Sequence, residues 1–408
     1  MPKVVIAGCG FAGGAMALRS LQLGFEVTLL DVPRPDICGV EIIPSSARHL
    51  LSELRLDEAL TTIRPGYGVG MLRCLDDGVP EFREGRALHV DRLALRRAMI
   101  AEAISRGAEV RTLRQLPEPD AGAFASIDAT GRRAAWSHPV KRYGRSVADL
   151  FSAPGAASRF TAVVVGLGEA WGYAAADEAG TTIGVIHDGS LPRLETERAI
   201  RLTFGVAQDT LLIYLGRRPA FPQSAAAPSR GRLLAIGDAA FSHDPIGGRG
   251  LSFALGSAFA AAAVLQTWRD HPARSEYASA YYADYVAAEK RRHLAFISGD
   301  QERAQQPQPV PSHVVWSAKQ ACAPLVLEDG IDVAEVALTQ AGIPVRWLSH
   351  FDVLELKALC DGVQPASGLI ETLRRGGFTA TEAATIIDWA LRNGLLRAGN
   401  FCRIRLPR

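Results

Sequence analysis

The chain has 408 residues, of which 48% are hydrophobic and 22% charged, and its formal net charge at pH 7 is +2. This composition excludes a disordered chain and implies no polyanionic partner. Six cysteines are scattered without a C-x-x-C pair, which indicates reduced thiols and neither a metal site nor a disulfide framework. Because the first predicted strand begins at once, we expect no signal peptide and a cytoplasmic protein.

The N-terminal stretch PKVVIAGCGFAGG predicts a nucleotide-binding turn. The uncharged run Val4–Ala7 is typical of a buried parallel strand, and a G-x-G-x-x-G turn and an amphipathic helix follow it. In such a turn the glycines permit the tight bend, the approach of a pyrophosphate and the packing of helix on strand, while the helix N-terminus offers N–H groups to the phosphate. The predicted cofactor contacts are Gly8, Gly10, Phe11, Ala12 and Gly13.

A second apolar strand ends in Asp31, 18 residues after Gly13. This is close to the ~20-residue spacing of the acid that binds a ribose hydroxyl. An acid here favours an unphosphorylated ribose, as in FAD or NAD. A structural glycine turn is the alternative interpretation of the motif, and the strand, helix and acid together favour dinucleotide binding.

The middle of the chain changes character twice. A helix predicted from Arg92 and a strand ending in the turn Asp128–Gly131 continue the first pattern. Residues 140–216 instead show the alternation of an antiparallel sheet. The first pattern then returns with a strand at 233–236 and an uncharged segment from Leu251, for which we expect a buried helix and not a membrane span.

A second glycine-rich segment, GDAAFSHDPIGGRG, follows the returning strand. An acid at a strand end can bind a ribityl hydroxyl, and the glycines let a flat ring lie against helix N–H groups. An ordinary glycine loop of an α/β fold is the alternative. The predicted contacts of this segment are Gly237, Asp238, Pro245, Gly248 and Gly250.

Together these motifs resemble the FAD-dependent aromatic hydroxylase and tryptophan halogenase superfamily over about residues 3 to 300. The resemblance implies that Arg92 contacts the flavin pyrophosphate, that Asp238 binds the ribityl chain, and that Pro245–Gly250 border the isoalloxazine. Glu41 and Asp128 are included in the predicted FAD site.

The resemblance also implies an α/β fold. It predicts a doubly wound, Rossmann-like FAD-binding domain formed by residues 1–139 and 231–304. An antiparallel β-sheet substrate domain is predicted to be inserted at 140–230. A small helical, winged-helix-like domain is expected at 312–408, after a proline-rich linker.

The implied reaction is hydroxylation of an electron-rich, indole-type ring through a flavin C4a-hydroperoxide. The source of electrons stays open between direct reduction by NADH or NADPH and a separate flavin reductase, because the DATG form at Asp128–Gly131 resembles the halogenase branch. Halogenation is the alternative activity. The resemblance implies that a halogenase would carry an early lysine and a W-x-W-x-I-P element. This chain has no lysine between Lys3 and Lys141 and no such element, which favours hydroxylation.

Two candidate catalytic residues lie in the second glycine-rich segment. His243 is a candidate general base, and a structural histidine is the alternative. Arg249 either binds a substrate carboxylate or caps the loop.

The loop and hairpin also resemble the branch that hydroxylates tryptophan within a polypeptide during quinone-cofactor biogenesis. In the tail, residues 367–408 carry seven arginines and the helix–turn–helix–strand order of a winged helix. We interpret this tail as a peptide-docking or packing module. The remaining alternative is a flavin-binding regulator with a DNA-binding tail.

Overall fold

The computed structural model describes residues 1–33, 39–63, 66–67, 70–74, 81–84, 88–154, 161–167, 170–177, 180–204, 206–298, 311–327, 330–348, 351–360 and 362–398. The chain divides into two compact units, Met1–His293 and Leu294–Arg408. Each unit is described by itself.

The described strands of the first unit form four sheets, a six-stranded one, a seven-stranded one and two three-stranded ones. Its first half contains β1 (Lys3–Ala7), α1 (Phe11–Gln22), β2 (Glu26–Asp31), β3 (Val40–Ile43), α2 (Ser45–Glu53), α3 (Asp57–Thr62), β4 (Gly66–Tyr67), β5 (Gly70–Cys74), β6 (Glu81–Glu84), β7 (Leu88–Asp91), α4 (Arg92–Ser105), β8 (Glu109–Thr112) and β9 (Ala125–Asp128). Its second half contains β10 (Val140–Arg142), β11 (Val147–Pro154), β12 (Thr161–Leu167), β13 (Ala170–Asp177), β14 (Gly180–His187), α5 (Arg193–Thr203), β15 (Ile213–Pro219), β16 (Gln223–Ala225), β17 (Ser229–Arg230), β18 (Leu233–Ala235), β19 (Phe241–Ser242), α6 (Gly250–Asp270) and α7 (Ser275–Ile297).

The first sheet has six strands in the spatial order β17-β18-β9-β1-β2-β8. Strand β1 lies between β2 and β9 and is parallel to both. Strands β18 and β8 extend the parallel arrangement, and β17 pairs antiparallel at one edge. Since β1 is an uncharged apolar run after Lys3, it fits a strand that is covered on both faces. The predicted parallel α/β sheet is confirmed.

Helix α6 is the central helix of this unit. It is long and apolar enough to cross a membrane by length and composition, yet 72% of its apolar window is buried inside the protein. Its buried side chains include Leu255, Val264 and Trp268. Burial rather than a lipid environment therefore accounts for its apolar sequence, as predicted.

The second sheet has seven strands in the order β15-β11-β14-β13-β12-β5-β6. The pairs from β15 to β12 are antiparallel, as predicted. The pairing differs from expectation at one end, where β12 runs parallel to β5. Thus two strands come from before residue 140, and the sheet extends beyond the predicted insertion at 140–230. A parallel pair between strands so far apart leaves no local trace in the sequence.

The second unit corrects the prediction of a largely helical tail. Its elements are β20 (His313–Trp316), β21 (Lys319–Leu327), β22 (Gly330–Leu338), β23 (Pro344–Val345), β24 (Trp347–Leu348), β25 (Phe351–Asp352), α8 (Leu354–Leu359), β26 (Gln364–Pro365), α9 (Ala366–Arg375), α10 (Ala380–Arg392) and β27 (Leu396–Ala398). The described elements between residues 313 and 352 are thus strands and not helices. Strand β22, which contains Ile331, Val333 and Val336, pairs with β21 over nine residues, and its β-branched side chains favour the sheet.

The predicted helix–turn–helix is present in this unit as α9 and α10. Thr379 caps α10, and its side chain and that of Glu382 form a reciprocal capping box. A three-stranded sheet in the order β26-β20-β27 accompanies the helices. The strand predicted at 401–406 and most of the proline-rich linker lie outside the described residues.

Candidate functional site

The G-x-G-x-x-G turn has the geometry that its sequence predicts. Gly8 has φ +109°, and a Cβ there would lie 2.3 Å from the carbonyl oxygen of Ala129. A Cβ on Gly13 would lie 1.9 Å from the carbonyl oxygen of Gly8. Both positions therefore require glycine, one for its backbone angle and both for close approach. A Cβ on Gly10 would meet no atom within 4 Å, so the turn is open on the side where a phosphate would approach.

Asp31 lies at the end of β2, beside this turn. The neighbouring residue Leu30 accepts a hydrogen bond from the Gly8 N–H at 2.8 Å. Burial, and next the charge of Asp31, raises the pKa of the Cys9 thiol to about 12. Asp31 is therefore close to the turn, and Cys9 is held as an unreactive thiol.

Arg92 is the first residue of α4, which Asp91 caps by accepting a hydrogen bond from the Ala94 N–H at 2.7 Å. The Arg92 guanidinium lies over the Phe11 ring, 4.9 Å from its centroid, and forms an ion pair with Glu41. The structure thus brings Arg92, Glu41 and the start of α1 together, although β3 and α4 are distant from α1 in sequence.

Asp128 is buried at the end of β9. Its side chain is fully buried, and its carboxylate accepts hydrogen bonds from the N–H and hydroxyl of Thr130 and from the N–H of Trp136 at 2.6–3.0 Å. The carboxylate is thus buried and bound by donors of this chain, and its predicted flavin contact stays a prediction. Asp128 fixes the turn that follows β9.

The second glycine segment is in contact with the first. Gly237 has φ +56°, and a Cβ there would lie 2.7 Å from the Ala12 Cβ. Its N–H donates to Ser257 Oγ of α6 at 2.8 Å. The next residue, Asp238, has a side chain that is 42% exposed and 4.0 Å from the Arg132 guanidinium. Its carboxylate is thus accessible beside the start of α1.

Residues 245–250 form an open turn into α6. Asp244 Oδ1 accepts a hydrogen bond from the Ile246 N–H at 2.9 Å and caps the short turn that begins at Pro245. Gly248 has φ +57°, and a Cβ on it or on Gly250 would meet no atom within 4 Å. A flat group could therefore lie against this backbone without a steric conflict.

His243 is not exposed to this open turn. The residue is 5% exposed, its Nε2 is hydrogen-bonded to Glu289 Oε1 at 2.9 Å, and its ring packs edge-on against Phe241 and Phe253. Nδ1 has no hydrogen-bond partner within the described structure. The arrangement is that of a structural histidine, and it does not support a general base in contact with substrate.

Glu289 of α7 connects this histidine to the predicted Arg249. The Arg249 Nε lies 3.0 Å from Glu289 Oε1, and Arg292 forms a further ion pair with the same carboxylate. Burial acts to raise the pKa of Glu289, but the hydrogen bond from His243 and the charges of Arg249 and Arg292 prevail and hold the pKa below its usual value. Arg249 thus forms an ion pair within this chain, and this pair links the start of α6 to α7.

Sequence reasoning missed Glu289 and the role of Arg132. The Arg132 guanidinium donates to the carbonyl oxygens of Phe221 at 2.5 Å and His243 at 2.8 Å, and burial lowers its pKa, although Asp238 and Asp244 act in the opposite direction. Arg132 therefore links its own loop to the loops that contain Phe221 and His243. A carboxylate on the apolar face of a tyrosine-rich helix was the one sequence signal for Glu289.

These residues fit FAD. Four features of this unit suit the successive parts of FAD, and we call them together the cofactor cradle. They are the open backbone at Gly10, the cation of Arg92, the exposed carboxylate of Asp238 and the open turn at Gly248–Gly250. They would hold, in order, a pyrophosphate, a ribityl chain and a flat ring. Two clefts, of about 770 Å³ beside Arg392–Ala398 and about 570 Å³ beside α5, lie elsewhere.

Comparisons with known proteins add the following. No family model matches the chain, and no curated protein matches it. Among solved structures, it is similar to QhpG, a peptidyl tryptophan dihydroxylase essential for tryptophylquinone cofactor biogenesis. The TM-score is 0.66 at 22% identity, over 97% of this chain and 99% of that one.

The chain is also similar to CmlS, a flavin-dependent halogenase, with a TM-score of 0.72 at 15% identity over 97% of this chain and 95% of that chain. A third similar structure is Tar14, a tryptophan C-6 flavin-dependent halogenase from taromycin biosynthesis, with a TM-score of 0.58 at 15% identity over 70% and 76% of the two chains. CmlS and Tar14 are flavin-dependent enzymes, and this chain shares its fold with them and with QhpG.

Proposed function

We propose that this protein is an FAD-dependent monooxygenase that hydroxylates an indole-type ring. When bound and reduced, FAD would supply the activation of oxygen and the transfer of one oxygen atom. Gly10 and Arg92 would bind the pyrophosphate, Asp238 the ribityl chain, and the Pro245–Gly250 turn the ring edge. The protein's contribution is to position the aromatic ring and exclude water.

The observation that supports hydroxylation over halogenation is that the cations described around the cofactor cradle are arginines. The halogenases that the chain resembles use an early lysine, and here no lysine occurs between Lys3 and Lys141. Arg92, Arg132 and Arg249 are engaged with Glu41, with backbone carbonyls and with Glu289, respectively. A guanidinium stays protonated and cannot replace a lysine amine as a reactive group.

Halogenation is the second candidate, since CmlS and Tar14 share the fold. The test is to load the protein with FAD, reduce it, and admit oxygen with an indole substrate in buffers with and without chloride or bromide. Mass spectrometry should show the gain of oxygen atoms in both buffers. A halide-dependent gain of chlorine or bromine would establish the alternative.

The proposed substrate is a tryptophan within a polypeptide, and the similarity to QhpG, a peptidyl tryptophan dihydroxylase, supports this. A polypeptide offers binding energy remote from the reacting ring, which helps to position it. The full-length protein should hydroxylate a tryptophan-containing peptide with a higher kcat/KM than free tryptophan. Equal or faster turnover of free tryptophan or of a simple phenol would contradict the peptide assignment.

We also propose that the electrons come from NADH or NADPH through a separate flavin reductase. The support is Arg132, the arginine after the D-A-T-G segment, whose guanidinium is bound to carbonyl oxygens of this chain and is not available to a nicotinamide nucleotide. Either nucleotide alone should leave the bound FAD oxidised, and an added reductase should allow its reduction. Rapid bleaching of the flavin absorbance by NADH or NADPH alone would contradict this proposal.

A further inference from the structure

The two faces of the seven-stranded sheet differ in what covers them. One face packs under α5, in a cluster that includes Phe151, Ile183 and Ile200. The opposite face carries a second apolar cluster. Its buried members are Ala148, Leu150, Ile186 and Ala220, and the half-buried Trp171, Tyr173 and Leu215 pack against them. The rings of Trp171 and Tyr173 are thus partly exposed beside the four buried side chains of this cluster.

This second face is directed toward the cofactor cradle at one end. Thr182, on the same face as Tyr173, accepts a hydrogen bond from the Val40 N–H at 3.0 Å. Burial, and next the charge of Glu41, raises the pKa of Tyr173 to about 12, although Arg92 acts in the opposite direction. Tyr173 is therefore a neighbour of the Arg92–Glu41 pair and keeps its phenolic proton.

The same cluster reaches the other end of the cradle through Ala220. The carbonyl oxygen of the next residue, Phe221, accepts a hydrogen bond from Arg132, which also donates to the carbonyl oxygen of His243 within the second glycine-rich segment. The cluster hence extends from the residues assigned to the pyrophosphate to the loop assigned to the flat ring. A substrate ring placed against it would lie alongside the cradle over that distance.

The backbone beneath Tyr173 is shaped for this ring. Tyr173 pairs with Gly184 across β13 and β14, and a Cβ on Gly184 would lie 2.4–2.8 Å from the Tyr173 ring atoms and hydroxyl. The ring consequently lies flat on the sheet. Trp171 stands 6.2 Å away from it, centroid to centroid, at an interplanar angle of 40°. The two rings form an angled aromatic surface with a hydroxyl at one side.

We propose that Trp171 and Tyr173 form the wall that receives the substrate's aromatic ring and select an indole over smaller rings. This inference rests on the proposed function for its substrate class. Aromatic rings prefer tilted or offset contact with other rings, and two tilted rings on an apolar floor offer such contact to a large planar group. The Tyr173 hydroxyl remains a donor at neutral pH.

The test measures binding and turnover separately. N-acetyl-L-tryptophanamide is titrated into the FAD-loaded, full-length protein by calorimetry, for the wild type and for Trp171→Leu and Tyr173→Leu. Each substitution should raise the Kd about tenfold, while Tyr173→Phe should bind within a few-fold of the wild type. Phe204→Leu is the matched control, because Phe204 packs against Gly172 on the α5 face of the same sheet and should leave the Kd unchanged.

A further variant, Gly184→Ala, displaces the Tyr173 ring without removing it and should also weaken binding. Melting temperature and FAD content identify any variant that fails to fold, and such a variant is set aside in favour of the others. Affinities within twofold of the wild type for Trp171→Leu, Tyr173→Leu and Gly184→Ala would contradict the proposed binding role of the two rings. Failure of the wild type to bind the probe would contradict it as well. If binding follows the prediction but no oxygenated product forms, the binding role of Trp171 and Tyr173 is supported and the proposed monooxygenase function is wrong.

Discussion

Replacement of Glu289 by glutamine tests whether the buried carboxylate organises the flavin loop. In the wild type it accepts a hydrogen bond from the buried His243 and pairs with Arg249 and Arg292, whose side chains are 43% and 44% exposed. A charge-assisted buried hydrogen bond contributes about 1.5–3 kcal/mol, and each exposed pair contributes about 0.2–1 kcal/mol. We expect Glu289→Gln to lower the free energy of unfolding by about 2–5 kcal/mol.

The same substitution should weaken FAD binding, because His243 and Arg249 are at the two ends of the glycine segment that would border the flavin ring. Urea denaturation and titration of the apoprotein with FAD measure the two effects. Asp284→Asn is the control, since Asp284 is an exposed carboxylate on the same helix. Equal unfolding midpoints and equal FAD affinities for the two variants would refute the reasoning.

The pH dependence gives an independent check of this role. The folded-state pKa of Glu289 is below its usual value, so the charged form stabilises the folded protein above the unfolded pKa. That contribution is lost as the pH falls through the folded-state pKa. The difference in stability between wild type and Glu289→Gln should therefore shrink as the pH falls below about 4.

Three further predictions address the cradle and the sheet. Gly13→Val should abolish FAD binding, because its side chain would collide with the Gly8 carbonyl, whereas Cys9→Ser should retain FAD and activity; an inactive, FAD-loaded serine variant would indicate a thiol role. Asp238→Ala should weaken FAD binding by ~1.5–3 kcal/mol in a fluorescence titration, and an unchanged affinity would remove Asp238 from the site. Asp149→Asn should destabilise the protein by about 3 kcal/mol in urea, because the buried Asp149 carboxylate accepts hydrogen bonds from Arg217; an unchanged urea midpoint would show that this bond is dispensable.

The parts of the site that were predictable are those that local geometry dictates. The glycine turn could be recognised because its glycines recur at a fixed short spacing between a strand and a helix, and the structure shows the collisions that require glycine at Gly8 and Gly13. Asp91 and Arg92 follow the rules of a helix start. The order strand, turn, helix, strand then fixes Asp31 at a strand end beside the turn.

The parts that were missed depend on partners distant in sequence. His243 and Glu289 are 46 residues apart and meet by the packing of α7 on the loop, and nothing near His243 indicates that pairing. The D-A-T-G segment, on which the predicted cofactor contact of Asp128 rests, did not indicate that its carboxylate accepts hydrogen bonds from Thr130 and Trp136. Similarly, β5 joins β12 from a distant segment.

The contact between Gly237 and Ala12 has a consequence for the biosynthesis of the protein. These residues are 225 positions apart along the chain, and the strand before Gly237 completes the parallel sheet on the side of β9. The nascent chain must therefore hold β1 and α1 without their final neighbours until α6 has left the ribosome. Contacts of such sequence separation form late and slowly. We therefore expect cofactor binding only after α6 has been synthesised, and fragments that stop before α6 should be free of flavin.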